Sequence, residues 1–213
     1  EPFMRMNGAK IIDPITEEID INGKSAVAAA EWMIALKNKN VSIPFSITTY
    51  DVPFLRGASA ISQVKNMNLT AMFKADPSLR AKVGFMPVPS RKTTGAFTAY
   101  KTLSIMKQSK NQAEAWKFMK YVMSKENMWN RYQVYGVVPV RKSLQTQFTA
   151  IDPEFHKRVL EYVDLGKGKP LVSFITKFYN LSGDAWEKMY KGEKSPAVAL
   201  QEVYDVQMAD IKK

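Results

Sequence analysis

The alternation of apolar and polar positions is clearest over residues 103–143, LSIMKQSKNQAEAWKFMKYVMSKENMWNRYQVYGVVPVRKS. Leu103, Ser104, Ile105 and Met106 make a brief, mainly apolar run ending in Lys107, Gln108, Ser109 and Lys110, the pattern of a short strand leaving a core. A helix is predicted next: Asn111 suits the N-cap, Glu114 three residues on completes a capping box, and Ala115, Phe118 or Met119, Val122 and Met123 recur along one face beside Lys117 and Lys120. Ser124, with Glu126 and Asn127, opens a second helix that carries Met128, Trp129, Tyr132 and Tyr135 and stops at Gly136. Pro139 holds Val138 extended on the way to Arg141.

The same signals divide the rest of the chain. Residues 25–40 form a helix with Val27, Ala30, Ile34 and Trp32 as inward candidates, followed by a loop carrying Pro44, Tyr50 and Pro53. Residues 54–57 end a short helix, residues 58–64 read as a strand, and residues 74–82 are polar and helical or turn-like. Residues 90–95, with Arg91, Lys92, Thr93 and Thr94, have the composition of a linker. Asp152 followed by Pro153 starts a helix that runs to about Leu165, where Gly166, Gly168 and Pro170 break it. A long helix with Trp186 and Met189 ends near Lys191, and Ser195 with Pro196 opens the last one. Short strands alternating with helices point to an α/β class.

The order of these motifs resembles the C-terminal part of the extracellular solute-binding proteins of ABC importers, in their large sugar- and oligosaccharide-binding group, of the maltose-binding type. The resemblance rests on the strand, the SKN-initiated helix and the Gly-x-x-Pro segment of residues 103–143. FLRGASAI at residues 54–61, VGFMPVP at 83–89 and GEKSPAVALQEV at 192–203 extend it over nearly the whole chain. It implies a type II periplasmic-binding-protein fold, mostly the second lobe plus the segment that crosses back to the first. Residues 1–95 and 143–213 are then expected in the second lobe, and residues 96–142 in the first lobe and hinge.

The opening residues read as a helix end, an Asn-Gly turn and a strand pair, resembling the middle of the family's second lobe, and residues 1–8 carry no secretory signal pattern. On this resemblance most of the first lobe and the signal peptide are expected to lie outside the 213 residues. The implied activity is capture of a carbohydrate in an interlobe cleft and delivery to the membrane permease subunits. The implied location is the periplasm, or the extracellular face as an anchored lipoprotein. A monomer is expected for the complete protein, and self-association for a fragment that exposes an apolar face.

The resemblance also supplies candidate ligand residues. Sugar sites combine a flat aromatic with hydrogen-bonding side chains in a partly desolvated cleft. Tyr179 falls where sugar-binding members place a stacking aromatic, with helix core as its other reading. Tyr100 falls at the lobe crossing, where the alternative is hinge packing. Gln63, Lys65 and Asn66 follow the predicted strand at a place where members often carry Trp. The absence of Trp there argues against a large stacked oligosaccharide, but leaves hydrogen-bond donors. Tyr50 is a weaker addition.

Charge changes the picture in one segment. The formal net charge is +11, and residues 96–150 alone hold 9 basic against 2 acidic side chains, whereas residues 151–213 hold 10 of each. A polyanion or nucleic-acid surface built from Lys107, Lys110, Lys117, Lys120, Lys125 and Arg131, with Trp129 and Tyr132 to stack on bases, is therefore the alternative function. The competing explanation is a solvated helix face whose aromatics lie in the core. Steering of an acidic sugar is a third use of the same charge.

Catalytic chemistry finds little support. There is no cysteine, a single histidine at position 156, and no GxGxxG, GxxxxGKS, GxSxG or HExxH motif. Glu17 with Glu18, and Asp13 with Asp20, sit in turn-rich sequence that suits a solvated hairpin better than acid–base work. His156 reads as a surface helix residue, and Asp152 with His156 would need distant partners to hold a metal. No enzyme, cofactor or metal is expected.

Overall fold

A computed structural model describes residues 1–41, 54, 57–62, 64–87, 90–99 and 101–211. The chain forms two compact units, one of Glu1–Ile61, Val88–Ala99 and Leu165–Lys213, the other of Ser62–Pro87 and Tyr100–Asp164.

The first unit contains α1 (Pro2–Met6), α2 (Lys24–Asn38), the two-residue strands β1 (Ala96–Phe97) and β2 (Gly166–Lys167), and two C-terminal helices. β1 and β2 pair in parallel, Ala96 beside Gly166 and Phe97 beside Lys167. The predicted hairpin at residues 10–20 is an isolated antiparallel bridge between Ile12 and Ile19. Asn7 is buried, and its amide donates to the Ser25 carbonyl at 2.8 Å, which ties the Asn-Gly turn to the start of α2. On α2 the buried positions are Ala26, Ala29 and Ala30, a small-residue stripe at helical spacing, with Val27 and Ile34 partly buried beside them. Trp32 stays half exposed and lies on Phe3 with centroids 5.6 Å apart.

The two C-terminal helices of this unit carry the larger core residues. Phe178, Ala185 and Met189 come from the helix Ile175–Lys191, and Ala199, Leu200 and Val203 from the helix Pro196–Ile211. Gln207, on the latter, is fully buried, and neither its amide nitrogen nor its oxygen has a partner among the described residues. An unpaired buried amide costs its full desolvation, so Gln207→Leu is expected to raise stability by about 1 kcal/mol, read as an upward shift of the thermal midpoint.

Among its described residues the second unit contains helices and no strand. It contains α3 (Asn66–Ala75), a 3-10 turn (Pro77–Lys82), α4 (Gln112–Val122), α5 (Lys125–Tyr135), a second 3-10 turn (Lys142–Leu144), α6 (Gln145–Ile151) and α7 (Pro153–Leu165), which leaves the unit at its last residue. In chain order the later helices of the first unit are α8 (Ile175–Lys191) and α9 (Pro196–Ile211). Leu69, Tyr132, Phe148, Phe155 and Val159 are buried together, flanked by Phe73, Phe85 and Trp129. The rings interlock: Phe85 stacks on Phe155 at 4.7 Å, Phe73 meets Phe155 edge-on at 5.8 Å, and Tyr132 meets Phe148 edge-on at 5.0 Å.

Local signals explain several helix ends. Ser124 Oγ accepts from the Asn127 amide at 3.3 Å, and Gly136 closes α5 in the left-handed region at φ 67°. An added Cβ at Gly136 would stand 2.7 Å from Thr70 Cβ, so space as well as backbone conformation requires glycine there. Asp152 Oδ1 accepts from the Phe155 amide at 3.1 Å, and Pro153 opens α7.

Other expectations are corrected. Residues 101–106 are irregular, with Leu103 and Met106 exposed, and residues 58–62 and 64 contain no strand. Asn111 occupies the N-cap of α4, but its side chain makes no cap bond; its backbone N–H instead bonds to Ser109 Oγ at 3.2 Å. Along α4 it is Ala115, Met119, Val122 and Met123 that are partly buried, while Phe118 is exposed. His156 is not at the surface: it is 3% exposed.

Candidate functional site

Three of the five candidate ligand residues lie among the described residues. Gln63 and Tyr100, and the weaker Tyr50, lie outside them.

Lys65 and Asn66 stand at the amino end of α3 in the second unit. Lys65 is its N-cap, with extended backbone and an exposed side chain. Asn66 is partly buried, and its Nδ2 donates to the Gly136 carbonyl at 2.9 Å. This bond joins the start of α3 to the end of α5, so the carboxamide is held in place rather than left to rotate. Thr70 Oγ1 donates to the Asn66 carbonyl at 3.0 Å, one turn further along. The helix itself begins directly at Asn66; at the described residues before it no strand is formed.

Tyr179 belongs to the first unit, on α8. Its neighbour Phe178 is the core residue, 1% exposed, whereas Tyr179 is partly buried against that core. The phenol hydroxyl donates to Glu1 Oε2, and the Lys169 ammonium lies 4.1 Å from the ring centroid. Arg5 binds the other oxygen of Glu1 through Nε at 2.8 Å and a terminal nitrogen at 2.6 Å. Burial first, and then the Glu1 carboxylate, hold the Tyr179 phenol well above its usual range, so it is a neutral hydrogen-bond donor at physiological pH. An aromatic ring capped by one cation, with a fixed polar rim, can stack on a sugar ring and bond its hydroxyls.

The charged residues around Tyr179 were not among the sequence candidates. Lys169 lay in the Gly-Lys-Gly-Lys-Pro segment, which reads as a helix break, and Glu1 and Arg5 lay 178 and 174 residues away in the chain. No local pattern announces contacts of that separation.

The two aromatics expected to stack on bases lie in the core, although Trp116 and Phe118 of the same segment are exposed. Tyr132 is buried and Trp129 partly buried, packed together at 5.2 Å in the core of the second unit. Exposed aromatics do occur nearby: Tyr121 and Tyr135, with Asn127, Asn130, Arg131 and Val134, line an open, mainly apolar depression of about 260 Å3. Among the described residues there is no cluster of metal-ligating side chains, and no helix is long and apolar enough to cross a membrane.

Residues 8–159 match the family of bacterial extracellular solute-binding proteins. The chain belongs to that family. No curated protein matches the chain. Among solved structures, the GacH receptor of Streptomyces glaucescens, described unliganded and with acarbose, superposes with a TM-score of 0.85 at 18% identity over 100% of this chain and 56% of that one. The sugar-binding protein MalE of Xanthomonas citri superposes at 0.77 with 16% identity, covering 94% of this chain and 52% of its own. Maltose-bound MalE3 of T. maritima gives 0.75 and 15% identity, with coverages of 95% and 54%. The fold is therefore that of the type II, MalE-like binding proteins, and the chain spans about half the length of these structures. The polyanion alternative draws no support from the family or from these folds.

Proposed function

We propose that this chain is part of the substrate-binding component of an ABC importer, which captures a sugar or oligosaccharide outside the cytoplasm and hands it to membrane permease subunits. The observation that carries this reading is the joint one: a solute-binding family match over residues 8–159, and a superposition over the whole chain on a receptor described with acarbose. Gln63, Lys65, Asn66, Tyr100 and Tyr179 are the proposed ligand residues. Tyr179 offers the ring and a neutral hydroxyl, and Lys65 and Asn66 offer donors. The excess of basic charge favours an acidic sugar. We read the two compact units as portions of the two lobes, with the chain crossing at residues 61–62, 87–88, 99–100 and 164–165. Closure of the lobes on ligand would be the signal read by the permease, and the complete protein would act as a periplasmic or lipid-anchored monomer.

The test is a thermal-shift and calorimetric panel of maltose, maltotetraose, acarbose, uronates and polyols. Saturable binding by at least one is expected, with stabilisation of about 2.7 kcal/mol at a hundredfold excess over Kd. Tyr179→Ala should weaken that binding about tenfold or more. No response from any member of the panel would sink the carbohydrate reading.

A further inference from the structure

The single histidine of the chain is buried at the junction of three helices of the second unit. Its Nδ1 lies 2.6 Å from the Phe148 carbonyl on α6, and its Nε2 lies 3.2 Å from the Tyr132 hydroxyl on α5. The two distances fix the tautomer. A carbonyl oxygen only accepts, so Nδ1 carries the hydrogen; Nε2 is then the bare acceptor of the Tyr132 O–H. The ring also stacks on Phe148 at 3.9 Å and lies 5.1 Å from Phe155. Neutral imidazole thus satisfies both nitrogens and three aromatic neighbours at once.

Protonation breaks this arrangement. A hydrogen on Nε2 would face the Tyr132 O–H, so the hydroxyl would have to turn away from the ring within a buried site, and a cation would sit among phenyl rings. The titratable or charged groups around the ring are Tyr132 from α5, Asp152 at the start of α7, and Arg80 from the 3-10 turn; α6 contributes none. Asp152 is already committed to Arg80, through bonds that include one of 2.9 Å from Arg80 to Asp152 Oδ1. Its charge is therefore largely answered before His156 ionises. Desolvation accordingly outweighs the attraction of Asp152, and the imidazole is held below its ordinary value.

We propose that His156 is a proton-operated clasp: neutral, it pins α5 to α6 and α7; protonated, it keeps its bond to the Phe148 carbonyl and lets α5 go. The consequence reaches beyond the core. Tyr132 O accepts from the Gly136 amide at 2.8 Å, and the Gly136 carbonyl accepts from Asn66, so α5 links the clasp to the amino end of α3. Acid would therefore loosen the segment that holds Lys65 and Asn66. This last step rests on the carbohydrate reading above; the clasp itself does not.

Because the chain has one histidine, its imidazole nitrogens can be followed by NMR without assignment ambiguity. The expected result is the Nδ1–H tautomer at neutral pH and a midpoint below about 6.5, the ordinary histidine value. Between that value and the native midpoint, the opening of α5, read from amide exchange corrected for intrinsic rates, should rise about tenfold for each unit by which pH falls, because the open state binds one more proton. That rise should disappear in His156→Gln. A midpoint at or above about 6.5, an Nε2–H tautomer, or a pH dependence that survives in His156→Gln would each overturn the clasp; if the variant does not fold, the wild-type titration decides. Where the panel has given a ligand, its affinity should fall with pH in step with α5 opening. Affinity that stays constant while α5 opens would remove the link to Asn66 and leave the clasp.

Discussion

Replacing Phe148 by Ala is expected to cost about 3–5 kcal/mol and to open the second unit selectively, as burial of the whole ring and the cavity left behind both count. Phe148 is 1% exposed, and the core around it is small: five buried residues, with Tyr132 edge-on at 5.0 Å and His156 stacked at 3.9 Å. A loss of that size is a large part of a domain's whole stability. The core of the first unit, which has its own buried cluster around Phe178, Met189 and Leu200, does not include Phe148. Hydrogen exchange should therefore rise sharply in peptides covering α5 to α7 and change little in those covering α8 and α9. Equal loss in both sets would show that the two units do not fold independently. In the same variant the imidazole of His156, no longer covered by the ring, should titrate closer to its ordinary value, near about 6.5.

What could be read in the sequence divides along the range of the interactions involved. Helix starts and stops depend on neighbours within one turn, and Ser124, Asp152 with Pro153, Ser195 with Pro196, Gly136 and Gly192 all act as their side chains or backbone freedom predict. Strands depend on partners supplied from elsewhere. The apolar runs at residues 58–64 and 103–106 look like strands by composition, yet no strand forms at their described residues, and the parallel pair that does form is only two residues long. α3 escaped notice for the opposite reason: NMNLTAMFKA has Lys65 rather than a capping residue before it, and only Leu69 fully buried. The stripe that buries His156 was present in the spacing, since Phe148, Phe155, His156 and Val159 share one core, but a polar residue on an apolar stripe reads as surface until its two partners are known. Of the candidate site, the end of α8 near Lys191 followed from local signals, whereas Tyr179 was placed by the family resemblance, with helix core as its other reading. The Glu1, Arg5 and Lys169 surroundings followed from neither, because they are set by packing between segments far apart in the chain.

Arg80→Ala should cost about 2–3 kcal/mol and flatten the acid limb of the stability curve. Arg80 reaches from the 3-10 turn to both acidic residues near the start of α7, bonding Asp152 and, at 2.8 Å, Glu154, and its guanidinium lies 5.0 Å from the Phe85 ring centroid. The Arg80 and Asp152 side chains retain 29% and 20% exposure, so the pair is stronger than a surface ion pair, worth about 0–1 kcal/mol, and weaker than a fully buried one, whose breaking costs about 3–5 kcal/mol. Loss of the cation–π contact adds to the cost. Hydrogen bonding to Arg80 is the main cause that holds the Asp152 carboxyl below its usual range. Its contribution is therefore complete above the unfolded carboxylate value, about 3.9, and fades as pH falls through the lower folded value. Removing Arg80 should thus lower stability at pH 7 while leaving less to lose below pH 4, in denaturant unfolding measured across that range. A steep loss below pH 4 that persists unchanged in Arg80→Ala would assign acid sensitivity to other groups. Arg80→Lys should recover only part of the loss, since an ammonium cannot serve both carboxylates and the aromatic face through one planar fork.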